Sequence, residues 1–302
     1  MNVSTSLLKR WFGTRNDAAP TPAEYLLQSL FVMAWMVEAR DPYTGGHLWR
    51  VSQYSRLLAQ DAGLPDTDVA RITLGGFLHD LGKISVPDAI LNKPDRLTDE
   101  EYAVIKTHPE VGARLLAEHP LAPLANAAVL YHHERPDGTG YPRRLAAADV
   151  PLDARIVGIC DAFDAMTSTR PYRRGMPVAQ ALDSIESCLE RQFDRRLGSR
   201  FLALGRAGAL DHIAGHTDHG IPLQECPLCG PTIVVRRHQH DGDKVYCRHC
   251  GSEATVGHKD GHVCVIPTGR KGTPQDLEPE ADLDVIGELV RASAASLKNI
   301  RT

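Results

Sequence analysis

Two short segments of the sequence bring together residue types that bind metal ions. His79 is followed directly by Asp80, and His132 is followed directly by His133. A histidine beside an aspartate supplies one neutral nitrogen and one carboxylate, and such a carboxylate can bridge two cations. Each pair alone is weak evidence, because adjacent residues recur by chance and a buried histidine is more often a hydrogen-bonded core residue than a ligand.

Three further residues strengthen the metal interpretation, because they fall in the same apolar and helical part of the sequence. The full set of potential ligands is His47, His79, Asp80, His108, His132, His133 and Asp161. Imidazole nitrogens together with two carboxylates suit a pair of borderline divalent cations. Two such cations can hold a bridging hydroxide and stabilise both the attacking and the leaving oxygen at phosphorus, so the set predicts hydrolysis of phosphoesters.

Three cationic side chains follow these ligands. Lys83 comes just after the His79–Asp80 pair and is placed to contact a phosphate oxygen, while a surface lysine at a helix end is the equal alternative. Arg170 and Arg173 could take a second phosphate or stack on a base. Solvated loop cations are the equal alternative for both arginines.

Composition bounds the class of protein. The chain has 302 residues, 42% of them hydrophobic, which is enough for one large domain and a smaller one. A formal net charge of -4 disfavours a dedicated nucleic-acid binder, which needs a basic excess. No apolar run is long enough to span a membrane, and the N-terminal segment lacks the features of a signal peptide. We therefore expect a cytoplasmic protein.

Turn and cap signals predict the helices that position the ligands. The Gly45–Gly46 turn precedes His47, which opens a helix. His79 and Asp80 fall in the last turn of a helix expected over 68–81. These two helices would bring three of the seven ligands to the edge of the core.

The other ligands are also predicted to lie on helices. A capping box formed by Thr98 and Glu101 starts a helix whose buried face carries His108. His132 and His133 follow a helix, and Asp161 lies beside the apolar face of another, where an unpaired carboxylate needs a cation. These later helices are expected over 122–131, 151–166 and 177–192. An all-α domain follows from this pattern.

Four of the seven cysteines form two Cys-x-x-Cys pairs in the last third of the chain, at Cys226, Cys229, Cys247 and Cys250. Two such knuckles at this spacing are typical of a structural zinc site with four thiolates, and a redox role is the weaker alternative. The Asp241–Gly242 pair predicts a hairpin between strands at 232–236 and 244–247. We expect a zinc ribbon, which at this size needs its metal to fold.

The terminal segment has apolar residues at the spacing of a coiled coil, which would allow a homodimer, and docking onto the helical domain is the equal alternative. The ribbon carries only a modest basic patch, so a protein partner is favoured over nucleic acid. The predicted bounds are 1–20 for a flexible tail, 21–210 for the catalytic domain, 211–224 for a linker, 225–267 for the zinc ribbon, 268–281 for a second linker and 282–302 for an amphipathic helix.

The combined motifs resemble those of the HD-GYP family, which are bacterial cyclic di-GMP phosphodiesterases and a branch of the HD metallohydrolases. The motifs are His79–Asp80, His132–His133 and Gly140-Tyr141-Pro142, with similar segments over 41–51 and 161–173. The resemblance extends over residues 25–205. It implies an all-α HD-type helical bundle, followed here by a small C-terminal β zinc ribbon and a terminal helix.

The resemblance also implies how the metals would be held. One metal would be bound by His47, His79, Asp80 and Asp161. The second would be bound by His108, His132 and His133, with Asp80 as a bridge. Some members have a glutamate ligand for a third metal at the position of Tyr43, and a tyrosine cannot replace this carboxylate as a ligand. We therefore expect two divalent metals in the catalytic site, Fe or Mn, and one structural Zn in the ribbon.

Substrate-binding residues follow from the same resemblance. Lys83 matches a lysine near the scissile phosphate and is assigned with Asp80 to catalysis. Arg170 and Arg173 match positions that grip the cyclic dinucleotide. The loop of Gly140, Tyr141 and Pro142 would flank the site.

We therefore predict a phosphodiesterase that opens cyclic di-GMP to linear pGpG, with further hydrolysis to GMP left open. One alternative is an HD hydrolase of another nucleotide. The other is a catalytically weak cyclic di-GMP sensor that signals through the ribbon. The ribbon is expected to be separable from the chemistry, so a chain ending near residue 215 should fold, and loss of the ribbon zinc should spare the hydrolytic rate.

Overall fold

Ten α-helices of the described chain precede its first strand. The computed structural model describes residues 20–41, 44–169, 174–230, 232–259 and 261–297. The helices are α1 (Pro22–Glu38), α2 (His47–Asp61), α3 (Asp66–Leu78), α4 (Asp88–Leu91), α5 (Asp99–Ile105), α6 (His108–Leu116), α7 (Ala122–Tyr131), α8 (Leu152–Thr167), α9 (Val178–Ser187) and α10 (Arg195–Arg206). The predicted tail over 1–20, except its last residue, lies outside the described residues, as does Tyr43.

The start of α2 is determined by the turn that precedes it. Gly46 is the N-cap and has a φ of 76°, in the left-handed region that a residue without a Cβ adopts most easily. The backbone N–H of His47 donates to the carbonyl of Thr44 at 2.7 Å. His47 therefore opens α2, as the sequence predicts, and its side chain is buried.

The helix that carries the His79–Asp80 pair ends earlier than predicted. α3 stops at Leu78 rather than at residue 81, His79 is its C-cap, and a 3-10 turn follows over Leu81–Ser85. Close packing explains the change, because a Cβ on Gly82 would lie 1.8 Å from the carbonyl oxygen of His108. The chain leaves the helix so that α6 can approach its backbone.

The single helix predicted from Thr98 through His108 is two helices, α5 and α6. Pro109 stands in the first turn of α6 and has no N–H to bond the carbonyl of Ile105. The Nδ1–H of His108 donates to that carbonyl instead, at 2.7 Å. The break that proline causes is thus what orients the His108 ring.

The helix predicted over 177–192 is shorter, and α10 was not predicted. Asp194 caps α10 by accepting a hydrogen bond from the backbone N–H of Leu197 at 2.9 Å. The apolar face of α10, which includes Phe201 and Leu202, is buried in the core. The capping aspartate followed by this apolar spacing was the available signal.

Seven short strands follow the helices: β1 (His216–Asp218), β2 (Ile221–Pro222), β3 (Gln224–Glu225), β4 (Thr232–Ile233), β5 (Lys244–Tyr246), β6 (Ser252–Lys259) and β7 (His262–Lys271). All pair antiparallel, as β1–β2, β3–β4 and β5–β6–β7. The hairpin predicted across Asp241–Gly242 is wrong. β4 pairs with β3, in the register Gln224 to Ile233, because the first cysteine knuckle itself forms the connection between them.

The two predicted linkers are also shorter than expected. Leu210 and Ile213 are fully buried in the helical core, and the segment predicted as 211–224 contains β1, β2 and the first residue of β3. β7 continues to Lys271, which pairs with Ser252, so the ribbon-like unit extends past the predicted end at 267. We call residues 216–271, which contain all seven strands, the C-terminal β unit.

The terminal helix α11 (Leu283–Leu297) packs against α1 and α3. The buried side chains that it adds to the helical core are Val285, Ile286, Leu289, Val290 and Ala294. Next to α11, the indole N–H of Trp35 donates to the carbonyl of Glu280 at 3.1 Å. The chain's own helical domain therefore covers the face predicted for a coiled coil. This arrangement corresponds to the alternative in which the terminal helix docks onto the helical domain. Within the described ranges, no helix combines the length and hydropathy needed to cross a bilayer.

Candidate metal centre

The seven ligands proposed from the sequence converge where α2, α3, α6, α7 and α8 meet. Two groups bring their ligand atoms within 4.8 Å of one another, as metal binding requires. The first is His47, His79 and Asp80, and the second is His108, His132 and His133. Asp161 lies beside the first group, with its Oδ1 3.5 Å from His47 Nε2 and 3.7 Å from His79 Nε2.

Four of the five imidazoles are held by their Nδ1 atoms. His79 Nδ1 is 2.8 Å from the carbonyl of Gly76, and His132 Nδ1 is 3.0 Å from that of Ala128. His108 Nδ1 bonds a backbone carbonyl in the same way, and His47 Nδ1 bonds a carboxylate. Because these oxygens can only accept, each Nδ1 carries the proton, which leaves the Nε2 lone pair toward the centre.

The Nε2 atoms lack ordinary partners, which is the main evidence that the residues fit metal ions. His47 Nε2 and His79 Nε2 are buried and form no hydrogen bond with the described residues. His108 Nε2 and His132 Nε2 lie 3.1 Å apart, yet neither carries a proton to share. Two nitrogen ligands at right angles on one cation lie about 3 Å apart, because each is about 2.1 Å from the ion. A shared cation therefore satisfies this pair.

Asp80 stands between the two groups. Its Oδ2 lies 3.5 Å from His47 Nε2 and 3.4 Å from His79 Nε2, while its Oδ1 lies 3.4 Å from His108 Nε2. One carboxylate oxygen thus faces each group. This is the geometry of a carboxylate that bridges two ions.

The electrostatics of the two groups differ. Burial lowers the pKa of His108 to about 4 and that of His133 to about 3, so both rings are neutral at pH 7 as ligands must be. Burial alone would also lower the pKa of His79, but the nearby charges of Asp80 and Asp161 raise it to about 10. The two carboxylates therefore favour a positive charge at the first group.

Lys83 lies at the edge of the centre, with its Nζ 2.6 Å from Asp80 Oδ2. Burial would raise the pKa of Asp80, but the charges of Lys83 and His79 hold it well below its usual value. The side chain of Lys83 is 23% exposed, so it reaches both the carboxylate and solvent. Lys83 is thus partly buried beside Asp80, and its contact with a phosphate stays a prediction.

Two functional residues were missed by the sequence analysis. Asp164 Oδ2 accepts from His47 Nδ1 at 2.7 Å, and the buried Arg50 donates to the Asp164 carboxylate from Nε at 2.6 Å and from Nη2 at 3.0 Å. Burial would raise the pKa of Asp164, but Arg50 and His47 hold it well below its usual value. Asp164 follows Asp161 by one helical turn on α8, and this spacing was the available signal.

The loop after His133 closes one side of the centre. A Cβ on Gly140 would lie 2.5 Å from the backbone of Glu134 and Arg135, so only glycine allows this fold of the loop. The carboxylate of Glu134 accepts from the backbone N–H groups of Arg143 and Leu145, at 2.6 and 2.9 Å. The loop that contains Tyr141 and Pro142 is thereby fixed.

A cleft of about 360 Å³ opens between this loop and the ligands, a size typical of small-molecule sites. It is lined by His133, Tyr141 and Asp161 among others. The Tyr141 ring stacks on His133 with centroids 4.7 Å apart. Arg170 and Arg173 lie outside the described residues.

The four cysteines form a separate cluster in the C-terminal β unit. Sγ of Cys226 lies 3.8 Å from that of Cys250, and Sγ of Cys229 lies 3.5 Å from that of Cys247. All four thiols are free, and the distances are far longer than a disulfide bond of about 2.05 Å. Sulfur ligands at about 2.3 Å from one zinc ion, in a tetrahedron, lie about 3.8 Å apart. The cluster fits a tetrathiolate site.

Comparison with known proteins adds an independent line of evidence. Residues 32–197 match the model of the HD domain family. A cyclic di-GMP phosphodiesterase of Thermotoga maritima is 37% identical over 204 residues, which cover 66% of this chain and 55% of the relative. The cyclic di-GMP phosphodiesterase response regulator RpfG of Xanthomonas campestris is 37% identical over 212 residues, with coverages of 70% and 54%.

A third relative is named for a different substrate. The 3'3'-cGAMP-specific phosphodiesterase 3 of Vibrio cholerae is 36% identical over 176 residues, which cover 58% of this chain and 38% of the relative. The chain spans about half the length of the first two relatives. The matched residues 32–197 contain all seven candidate ligands.

Proposed function

The chain belongs to the HD domain family and to its HD-GYP branch, and from this premise we propose that it is a metal-dependent phosphodiesterase that hydrolyses cyclic di-GMP to linear pGpG. The observation that carries the proposal is the position of Asp80, with one carboxylate oxygen toward each histidine group. Two ions bridged in this way suit displacement at phosphorus. The cyclic di-GMP phosphodiesterases among the relatives support the choice of substrate.

We assign the ligands by the two groups. His47, His79, Asp80 and Asp161 would hold one ion, and His108, His132, His133 and Asp80 the other. When bound, the ions supply Lewis acidity and an activated water. The imidazole ligands suit Fe, and the two carboxylates also suit Mn. The Nδ1 hydrogen bonds of the chain fix the ring orientations, and the loop of Gly140, Tyr141 and Pro142 excludes water from one side of the cleft.

We assign the remaining polar groups to the substrate. Lys83 would meet a phosphate oxygen at the edge of the centre, and Tyr141 would line the cleft that receives the nucleotide. Arg170 and Arg173 keep their proposed role at a second phosphate or base. The hydrolysis consumes one water molecule. The water oxygen bonds to phosphorus, the ester P–O bond breaks, and the departing oxygen takes a proton.

The test is a hydrolysis assay with metal analysis on anaerobically purified protein. We expect two ions per chain beyond any zinc, and conversion of cyclic di-GMP to pGpG. A chain that carries both ions and binds cyclic di-GMP without turnover would instead be a sensor. Because a cGAMP-specific relative is 36% identical, 3'3'-cGAMP is the second substrate to assay, and a clear preference for it would overturn our choice.

The role of Lys83 gives a second test. Lys83→Ala should keep both ions and lower kcat about 10²–10³-fold, because a cation facing the phosphate acts on charge that develops in the transition state. Lys93→Ala is the matched control, since Lys93 is similarly exposed and pairs with Glu101 away from the ligands. Steady-state kinetics with metal analysis decides, and an unchanged kcat would place Lys83 outside the reaction.

We further propose that the C-terminal β unit is a zinc ribbon. Four thiolates at tetrahedral spacing support one structural Zn bound by Cys226, Cys229, Cys247 and Cys250. The bounds that the strands support are 216–271 for this unit, after a helical catalytic domain that ends near residue 214 and before α11. A protein partner remains the proposed contact of the ribbon.

A further inference from the structure

We propose that the C-terminal β unit positions the metal ligand His47, by holding the turn from which α2 starts. The inference rests on the proposed function, since it treats His47 as a ligand. It replaces the expectation that the ribbon is separable from the chemistry. Three sets of contacts carry it: those of the Gly45–Gly46 turn, those of Arg50, and the connection of both to the cysteine cluster.

The Gly45–Gly46 turn is packed directly beneath the β unit. A Cβ on Gly45 would lie 2.8 Å from Val234 Cγ2 and 2.9 Å from Thr232 Cγ2. A Cβ on Gly46 would lie 2.8 Å from the Cα of Thr217 in β1. Real Cβ atoms do not approach this closely, so the strands and the turn touch at the limit of packing. Any shift of these strands therefore alters the space that the turn occupies.

Arg50 ties the same strands to the ligand. Its Nη1 donates to the carbonyl of His216 at 2.9 Å and to that of Gly45 at 3.0 Å. Its Nε and Nη2 hold Asp164, which in turn orients His47. The guanidinium is buried, so no water replaces a lost bond easily. Arg50 is a positioning residue that links β1, the turn and the partner of His47.

The cysteine cluster lies at the other end of this connection. Cys226 and Cys229 form the knuckle between β3 and β4, and β4 begins at Thr232, which packs on Gly45. A pair of strands with two residues each is not stable alone, so the metal that closes the knuckle would hold β4 in place. Loss of zinc should loosen β4 and release the turn before His47.

The consequence is selective, because the other histidine group is held differently. His108 and His132 bond carbonyls of the helical domain, away from the β unit. Disturbing the turn should weaken the ion at His47, His79 and Asp80, and spare the ion at the second group. A partner that moves the ribbon would act on one ion of the pair.

The first experiment adds one methyl group to the turn. Gly45→Ala should release one catalytic ion at a chelator concentration about 10-fold lower than wild type, in line with the effect of changing the support of a ligand. Combining it with Val234→Ala and Thr232→Ser, which remove both facing Cγ2 atoms, should restore retention. Gly287→Ala in α11 is the control, since its Cβ meets only the flexible end of Arg291. Elemental analysis after graded chelation measures the result.

Two outcomes of this experiment count against the proposal. Retention equal to wild type in Gly45→Ala means that the turn does not position His47. A loss that the relieving substitutions fail to restore means that the effect is not steric. Thermal unfolding of every variant shows which of them are folded.

The second experiment starts from the zinc and decides the matter if Gly45→Ala does not fold. Cys226→Ser with Cys229→Ser should remove the zinc and produce the same selective loss of one catalytic ion. Full retention of both catalytic ions after loss of zinc overturns the coupling. The readout is metal retention, which does not depend on the substrate. If the chain hydrolyses cyclic di-GMP but zinc loss leaves both catalytic ions bound, only this inference is refuted. If zinc loss releases one catalytic ion but the chain does not hydrolyse cyclic di-GMP, only the proposed function is refuted.

Discussion

Asp80→Asn should reduce kcat/KM by on the order of 10³-fold or more and lower the catalytic metal content from two ions per chain to one or none. The amide keeps the size of the carboxylate but offers one oxygen acceptor, so it cannot face both histidine groups. The substitution also removes the negative charge that Lys83 and His79 stabilise. Elemental analysis and steady-state kinetics on the same preparation measure both effects.

The matched control for this prediction is Asp66→Asn. Asp66 is an exposed carboxylate in the first turn of α3, the same helix that delivers His79. Its loss should change stability by about 0.3–1 kcal/mol through the helix dipole and leave metal content and kinetics unaltered. An Asp80→Asn protein with two ions and near-normal turnover would show that the bridge is assigned to the wrong residue.

Removal of residues 216–302 should leave a chain that does not fold stably. Five apolar side chains of α11 are buried in the helical core, and burial of each large one contributes about 1.5–3 kcal/mol. Their sum is comparable with a net folding stability of about 5–15 kcal/mol. Circular dichroism during thermal or urea unfolding should show no cooperative transition near that of the full chain.

A point substitution separates intrachain docking from a coiled-coil dimer. Ile286→Ala should lower the free energy of unfolding by about 2–5 kcal/mol, independently of protein concentration. Ala295→Ser, on the exposed side of α11, should change it by less than about 0.5 kcal/mol. A stability loss that vanishes at high protein concentration would instead indicate that this face joins two chains.

The sequence alone was sufficient to predict helix starts and candidate ligands where local turn and cap signals agreed with residue chemistry. The capping box at Thr98 is present as predicted, and Gly46 starts α2 where expected. The ligand set could be assembled from residue types alone, because few arrangements explain so many histidines beside apolar helices. Its sorting into two groups came from the family resemblance, because spacing alone does not give the distance between His47 and His108, which depends on how helices pack.

Tertiary contacts explain what the sequence did not predict. The partner of β4 depends on the cysteine knuckle, which overrides the turn preference of Asp241–Gly242. Spacing does not assign a role to Arg50, because its contacts with Asp164 and the carbonyl of His216 depend on how the chain packs. Separability of the ribbon stays a prediction from spacing along the chain, which does not reveal contact across it. The contacts of Thr217 and Thr232 with the Gly45–Gly46 turn are the ground for the opposite proposal.

The Nδ1 hydrogen bonds of the ligands have a consequence for binding entropy. His79, His108 and His132 each bond a carbonyl three or four residues earlier, so every ring is immobilised by its own stretch of backbone. Freezing a mobile side chain on binding costs about 0.5–1.5 kcal/mol, and here folding has already met that cost. We therefore expect divalent ions to exchange without rearranging the rings, so that supply and preference for nitrogen would decide which ion is bound.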